Sequence, residues 1–373
     1  EFSDGNLFHH NSLIDNMLNA FDSSFNDWDD GQEGNFWSDY TGNDSNYDGI
    51  GDTPYLIPGG NNQDNYPLMN QTIIINQIEN ESISKFFFKS KKNKNVKTRS
   101  ISFPKETIIV PDDYPTIQMA IDNANDGDRI EVRAGIYFEN VFVDKSVEII
   151  GYDANVTIVD GNGLNKHVFQ VSADNVEIAG FTIRNCTKGF SGIRQFGIYG
   201  DYHHNIINNC GGGIELWSTD YNSINNNCIF KNLWGIYVHV SSNCTIDKNN
   251  LSNNIYGIEL GFSDIEILNN IIGSNDLIGI LQINSDYVIV QGNNISNNGD
   301  IGIQIFSSNY NIFESNIFYK NSQSGLSFHK SSYNTIQNNT FQNHSRYISH
   351  EDVYGIQLFY FSNFNNIRNN EFI

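Results

Sequence analysis

Two groups of side chains in this sequence have the types and spacing to do chemistry. The first is Asp44, Asn46, Asp48, Ile50 and Asp52, with Gly49 between the third and fourth of them. Oxygen-bearing residues at loop positions 1, 3, 5 and 9, a glycine at 6 and a backbone carbonyl at 7 are the spacing that wraps a loop around Ca²⁺. Tyr55 stands at position 12, where an EF-hand needs a bidentate Glu, so a full EF-hand is ruled out. A simpler calcium loop and a metal-free loop held by Asx turns both remain. The second group is Glu215 and Glu259, accompanied by Trp217, Tyr237, His239, Gln304, Phe306 and His329. Two carboxyls can serve as acid and base on a glycosidic bond, aromatic rings can stack on sugar faces, and amides can take hydroxyl hydrogen bonds.

Only a repeat makes the second group a set. Gly213-Ile214, Gly235-Ile236, Gly257-Ile258, Gly279-Ile280, Gly302-Ile303, Gly325-Leu326 and Gly355-Ile356 return about every 22 residues until the last, longer step. Each unit reads as a short apolar strand, a Ser-rich bend, a second short strand and an Asn-rich bend. Strands this short cannot bury their own faces, but coils stacked at the strand spacing make a continuous core. Helical repeats need about 33 residues with an i, i+3, i+4 pattern, and leucine-rich repeats need a spaced Leu framework. Neither is present, so the fold class expected is all-β, a right-handed parallel β-helix. Within each strand the residue after glycine and the fourth residue point inward, and the third and fifth point out. That register places Glu215, Tyr237, Glu259 and Gln304 in one outward file and Trp217, His239, Phe306 and His329 in the next. Glu215 and Glu259 are two coils apart, about 9.6 Å between backbones at the strand spacing. Inverting glycosidases need roughly 6.5–9.5 Å between carboxyls. Two Glu on one face also arise by chance, and the rings could equally pack beneath a loop or a neighbouring chain.

Composition limits the partners. The formal net charge is −22, with 43 acidic against 21 basic residues, so there is no basic face to neutralise phosphates and a nucleic-acid partner is disfavoured. No apolar run is long enough to span a membrane. Cys186, Cys210, Cys228 and Cys244 form no CxxC pair, which argues against a zinc cage; small buried side chains are expected, with pairing across bends as the alternative in an exported protein. His9-His10 and His203-His204 have no Met- or Cys-rich company, so copper is not expected and these read as loop histidines. Sequons such as Asn155 and Asn243 would be glycosylation acceptors in an exported protein, though an Asn-rich repeat generates them by composition.

In chain order, residues 1–70 read as the last coils of a preceding β-helix unit with an acidic, aromatic closing segment. Residues 71–105 hold a concentration of Lys and Arg and read as a basic linker. Residues 106–373 read as a second β-helix that stops within a coil. Thr116 is a candidate N-cap for a helix whose Ile117, Ala120, Ile121 and Ala124 share one face, suited to plugging the open end of the stack. The stretch between Gln342 and Tyr354 lengthens one coil. The Asn pairs Asn226-Asn227, Asn249-Asn250, Asn269-Asn270, Asn293-Asn294, Asn338-Asn339 and Asn369-Asn370 recur at one bend, where Asn tolerates left-handed backbone and stacked amides can bond from coil to coil.

The run PDDYPTIQMAIDNANDGDRIEVRAGIYFENVFVDKSVEIIGY followed by NxIxxN coils resembles the NosD-type right-handed β-helix proteins of the pectin-lyase-like superfamily. GNFWSDYTGNDSNYDGIGDTPY with DNYPLM is similar to the segment that closes such domains in large archaeal cell-surface proteins. The resemblance implies one unit joined to the next in an extracellular, surface-located protein. It does not imply an activity, since this fold serves lyases, hydrolases, epimerases and scaffolds alike. The NTD, DD, GHG and RIK set of polygalacturonases is missing from the coils, as is the DPHE of alginate epimerases. The leading expectation is therefore a non-catalytic surface protein whose outward face binds a polysaccharide or a neighbouring surface protein. The alternative is a polysaccharide hydrolase, lyase or epimerase using the same face.

Overall fold

A computed structural model describes residues 3–16, 18–71, 105–344 and 354–373. Most of the basic linker and the insertion within the stretch from Gln342 to Tyr354 lie outside these residues.

The chain coils into a parallel solenoid with three sheets, two of 13 strands and one of 10, in which each strand pairs with its counterpart one coil away. The inward register follows the expectation. Ile214, Ile236, Ile258, Ile280, Ile303 and Leu326 are fully buried and stack in direct register. The glycine before each of them is required by close approach: a Cβ on Gly235 would stand 2.4 Å from the carbonyl oxygen of Gly257 in the next coil.

The asparagine bend divides its labour. One position takes the left-handed backbone, as at Asn226 (φ 54°), Asn269 (φ 53°), Asn338 (φ 57°) and Asn369 (φ 54°). The next is buried and carries the amide ladder. Asn227, Asn249, Asn270, Asn293, Asn316, Asn339 and Asn370 each donate Nδ2 to the Oδ1 of the next amide at 3.0–3.1 Å. These amides also satisfy backbone groups that the bend would otherwise leave orphaned in the core.

Helix α1, Ile117–Asn123, closes one end, with Thr116 Oγ1 accepting the Met119 N–H at 3.1 Å and Ile117, Ala120 and Ile121 buried. At the other end the N-terminal segment continues the stack. Leu7–His9 pairs with Asn366–Arg368, and Ser12–Leu13 pairs with Glu371–Phe372 on one side and Phe36–Trp37 on the other. The amide ladder runs straight across the junction, from Asn370 to Asn11 at 3.0 Å and Asn11 to Asn35 at 2.9 Å. Beyond it, Leu13, Trp28, Trp37 and Ile57 form a separate small core, and buried Asp64 ties it together by accepting the Trp37 indole N–H at 2.8 Å and the Asn35 backbone N–H at 2.7 Å. None of the described helices is long and apolar enough to cross a membrane.

Candidate active site

The ten-stranded sheet carries the outward files. Strand Gly212–Trp217 presents Glu215 and Trp217, strand Trp234–His239 presents Tyr237 and His239, and strand Tyr256–Gly261 presents Glu259. Pairing puts Glu215 opposite Tyr237 and Tyr237 opposite Glu259. All of these side chains except His239 line a cavity of about 210 Å³, together with Ser191, Trp234 and two glycines. Gln304, Phe306 and His329 belong to the same files but lie farther along the sheet: Glu259 pairs with Leu281, and Leu281 with Gln304. Phe306 stacks on His329 with centroids 4.7 Å apart, a separate aromatic patch outside the cavity.

The two carboxyls have different surroundings. Glu215 is 8% exposed; Oε2 accepts the Ser191 hydroxyl at 2.8 Å and Oε1 lies 3.6 Å from Arg194 Nη1, making it one half of an ion pair. Among the described residues Glu259 has no Lys or Arg within ion-pair distance. Burial pushes its carboxyl above the usual 4.5, only partly offset by the Trp234 indole N–H that donates to Oε2 at 2.6 Å and by the nearby His239 imidazole. Between them, burial and then the charges of Glu259 and Glu215 push the Tyr237 phenol upward, so it stays a neutral O–H.

A further layer holds Arg194 in place. Its guanidinium lies over the rings of Phe196 at 4.8 Å and Trp217 at 5.5 Å, and His167 Nε2 is 3.5 Å from Nη1. His167 Nδ1 accepts the Ser191 N–H at 2.9 Å, and burial lowers its pKa to about 4, so the ring is neutral. Two buried polar atoms beside the cavity, Arg194 Nε and His239 Nδ1, have no hydrogen-bond partner. The place of His239 depends on Gly261 opposite it, because a Cβ there would sit 2.7 Å from Nδ1.

Sequence reasoning placed Glu215, Trp217, Tyr237, His239 and Glu259 on one face but missed Arg194, Ser191, His167 and Trp234. Arg194 was within reach: Gly192-Ile193-Arg194 is the same motif one coil earlier, and Arg194 pairs with Glu215. The outward rings are half-buried because they pack on one another, with Trp217 and His239 centroids 4.6 Å apart.

The Asp44–Asp52 loop closes on its own amides. Asp44 accepts the N–H groups of Asp48 at 3.2 Å and Gly49 at 3.0 Å, Asp48 that of Ile50 at 2.9 Å, and Asp52 that of Ser45 at 2.9 Å. Cys186 and Cys210 are joined in a disulfide, the pairing held as the alternative, while Cys228 and Cys244 are free.

No curated protein sequence matches the chain. Among solved structures it is similar to the catalytic domain of a GH87 alpha-1,3-glucanase in complex with tetrasaccharides, with TM-score 0.51 and 13% identity over 72% of this chain and 66% of that one. It is also similar to the enzymatically active domain of Bacteriophage CBA120 tailspike protein 2, with TM-score 0.52 and 11% identity over 69% and 46%, and to Geobacillus virus E2 ORF18, with TM-score 0.50 and 15% identity over 72% and 62%. The chain spans less than two thirds of each of these structures, and at these identities they speak for the fold alone. The family model described as "Right handed beta helix region" matches residues 134–276 and 234–372. With more than half of its length matched in this way, and with a parallel coil in register along that length, the chain belongs to the right handed beta helix family.

Proposed function

We propose that this chain is a polysaccharide-active enzyme, a glycoside hydrolase in which Glu259 is the general acid and Glu215 the general base. The observation that carries the reading is the contrast between two carboxyls facing one cavity from alternate strands: one whose pKa burial raises and which takes an indole N–H, the other in an ion pair with Arg194. Environments that hold two carboxyls in different protonation states are the usual sign of an acid/base division. In the step proposed, Glu259 gives its proton to the glycosidic oxygen as that bond breaks. Glu215 takes a proton from the water that attacks the anomeric carbon from the opposite face. Two strand spacings of roughly 9–10 Å lie at the upper end of the carboxyl separation that an inverting geometry needs. Trp217 and Tyr237 supply rings for sugar stacking.

A passive stalk with a glycan-binding face, the leading expectation from sequence, gives no reason for the buried, counter-charged setting of Glu215. Similarity to a glucanase and to an enzymatically active tailspike domain supports the catalytic alternative. An extracellular location is part of the proposal, supported by the Cys186–Cys210 disulfide, since such bonds persist in oxidising compartments. A reducing-sugar assay across a panel of neutral and acidic polysaccharides tests the function. Turnover lost in both Glu215→Gln and Glu259→Gln supports it. Glycan binding without turnover in the unaltered protein would favour the surface-binding role.

A further inference from the structure

Two imidazoles meet at the bend after strand Leu7–His9, far from the cavity. His9 Nδ1 and His10 Nδ1 are 2.6 Å apart. His9 Nε2 lies 3.3 Å from Asn366 Oδ1 and His10 Nε2 lies 2.6 Å from Glu33 Oε2. Both of those oxygens accept hydrogen bonds, so the tautomer that satisfies both contacts carries the proton of each ring on Nε2. Neutral rings in that tautomer aim two bare lone pairs at each other. Asp30 Oδ2 stands 3.6 Å from His9 Nδ1, while its other oxygen is held in place by the N–H groups of Gln32 and Glu33, each at 2.9 Å. The three ligand atoms all lie within 4.8 Å of one another, and among the described residues no other group of three His, Cys, Asp or Glu does this.

We propose that His9, His10 and Asp30 bind a divalent first-row transition ion of the Zn²⁺ type, with Glu33 and Asn366 orienting the imidazoles. A cation between the two Nδ1 atoms removes the repulsion of their lone pairs. Two imidazole nitrogens and one carboxylate oxygen are the borderline donor set that Zn²⁺ accepts, leaving a position for water. A carboxylate behind a ligating histidine, the place of Glu33 behind His10, fixes the tautomer and strengthens the ligand. Asn366 lies on the last coil of the second unit, so the ion would clamp the N-terminal segment where the stack continues through it.

The molecule contains its own control. His203-His204 make the same bend, with Nδ1 atoms 2.9 Å apart and His203 Nε2 3.0 Å from Glu177, but among the described residues no third ligand closes the set. The expected stoichiometry is therefore one ion, not two.

The test is isothermal titration of Zn²⁺ into the chelator-treated full chain near neutral pH, with Co²⁺ absorption and histidine resonances as second readouts. One equivalent should bind, Asp30→Asn and His10→Gln should each weaken it at least about tenfold, Glu33→Gln by about tenfold, and His204→Gln not at all. Matching melting temperatures of the metal-free variants would separate lost ligands from lost fold. If a variant does not fold, selective movement of the His9 and His10 resonances in the unaltered protein decides the matter. No bound equivalent, or binding that survives Asp30→Asn and His10→Gln, overturns the proposal.

Discussion

Glu215 and Glu259 face one cavity from alternate strands, with Tyr237 directly between them in register. Only Glu215 has a cation within ion-pair distance, Arg194 at 3.6 Å. If this asymmetry divides acid from base, Glu259→Gln should lower kcat by about 10²–10⁴ on a glycoside with a poor leaving group, while the fold is kept. Because burial raises the Glu259 pKa, the basic limb of the pH–rate profile should lie above the 4.5 of an ordinary Glu. A profile unchanged in Glu259→Gln would remove Glu259 as the acid.

Under the proposed acid role of Glu259, Trp234 would tune that limb. Its indole N–H donates to Glu259 at 2.6 Å and lowers the pKa against the larger effect of burial. Trp234→Phe keeps the ring and deletes the donor, so the basic limb should move to higher pH with KM little changed. Movement to lower pH would contradict the assignment.

His167 makes stability acid-sensitive. Its folded pKa is lowered from 6.5 to about 4, chiefly by burial and then by Arg194. Between those values the unfolded chain binds a proton that the folded chain does not, so the contribution is complete above about pH 6.5 and is lost as pH falls toward 4. The full effect is on the order of 3 kcal/mol. Urea denaturation at pH 7 and pH 4.5 should show His167→Gln losing less stability on acidification than the unaltered protein.

Asn270 and Asn226 occupy the same kind of bend but should behave differently. Asn270 is buried; it donates to Ile246 O and Asn293 Oδ1 and accepts from Asn249 N and Nδ2. Asn270→Ala strands several buried groups at ~1–3 kcal/mol each and should cost about 3 kcal/mol or more. At Asn226, with φ 54°, Asn226→Gly removes only a local preference and should stay within about 1 kcal/mol. Equal denaturation midpoints would show that the amide ladder contributes nothing.

We propose that the Asp44–Asp52 loop takes Ca²⁺ by rearranging, since Asp44, Asp48 and Asp52 are not gathered within 4.8 Å of one another as His9, His10 and Asp30 are. Asp44 at position 1 already receives the N–H groups of positions 5 and 6, the closure that turns such a loop back on itself. Calorimetry on the full chain should show one equivalent that Asp44→Asn and Asp48→Asn weaken. Silence on Ca²⁺ addition would leave a loop held by Asx turns.

The coil was legible because period-two alternation and a 22-residue return leave one way to bury so many short apolar strands. The same register read the outward files correctly: Glu215, Trp217, Tyr237, His239 and Glu259 fall together because side-chain direction in a strand is set by backbone geometry alone. Whether a file member lines the cavity depends on its neighbours across the sheet. Gln304 and Phe306 share the pattern but lie beyond Leu281, while Trp234 lines the cavity and Arg194 pairs with Glu215 through contacts that a linear period does not encode. Desolvation of Glu259, convergence of His9, His10 and Asp30, and the run of the amide ladder from Asn370 to Asn11 all join residues from different coils or from opposite ends of the chain. The sequence by itself determined the coil, its register and which faces are in or out, since these follow from local geometry repeated. Proton affinity, ion pairing and ligand convergence were decided only by the tertiary structure, because they depend on distances and burial created when coils stack.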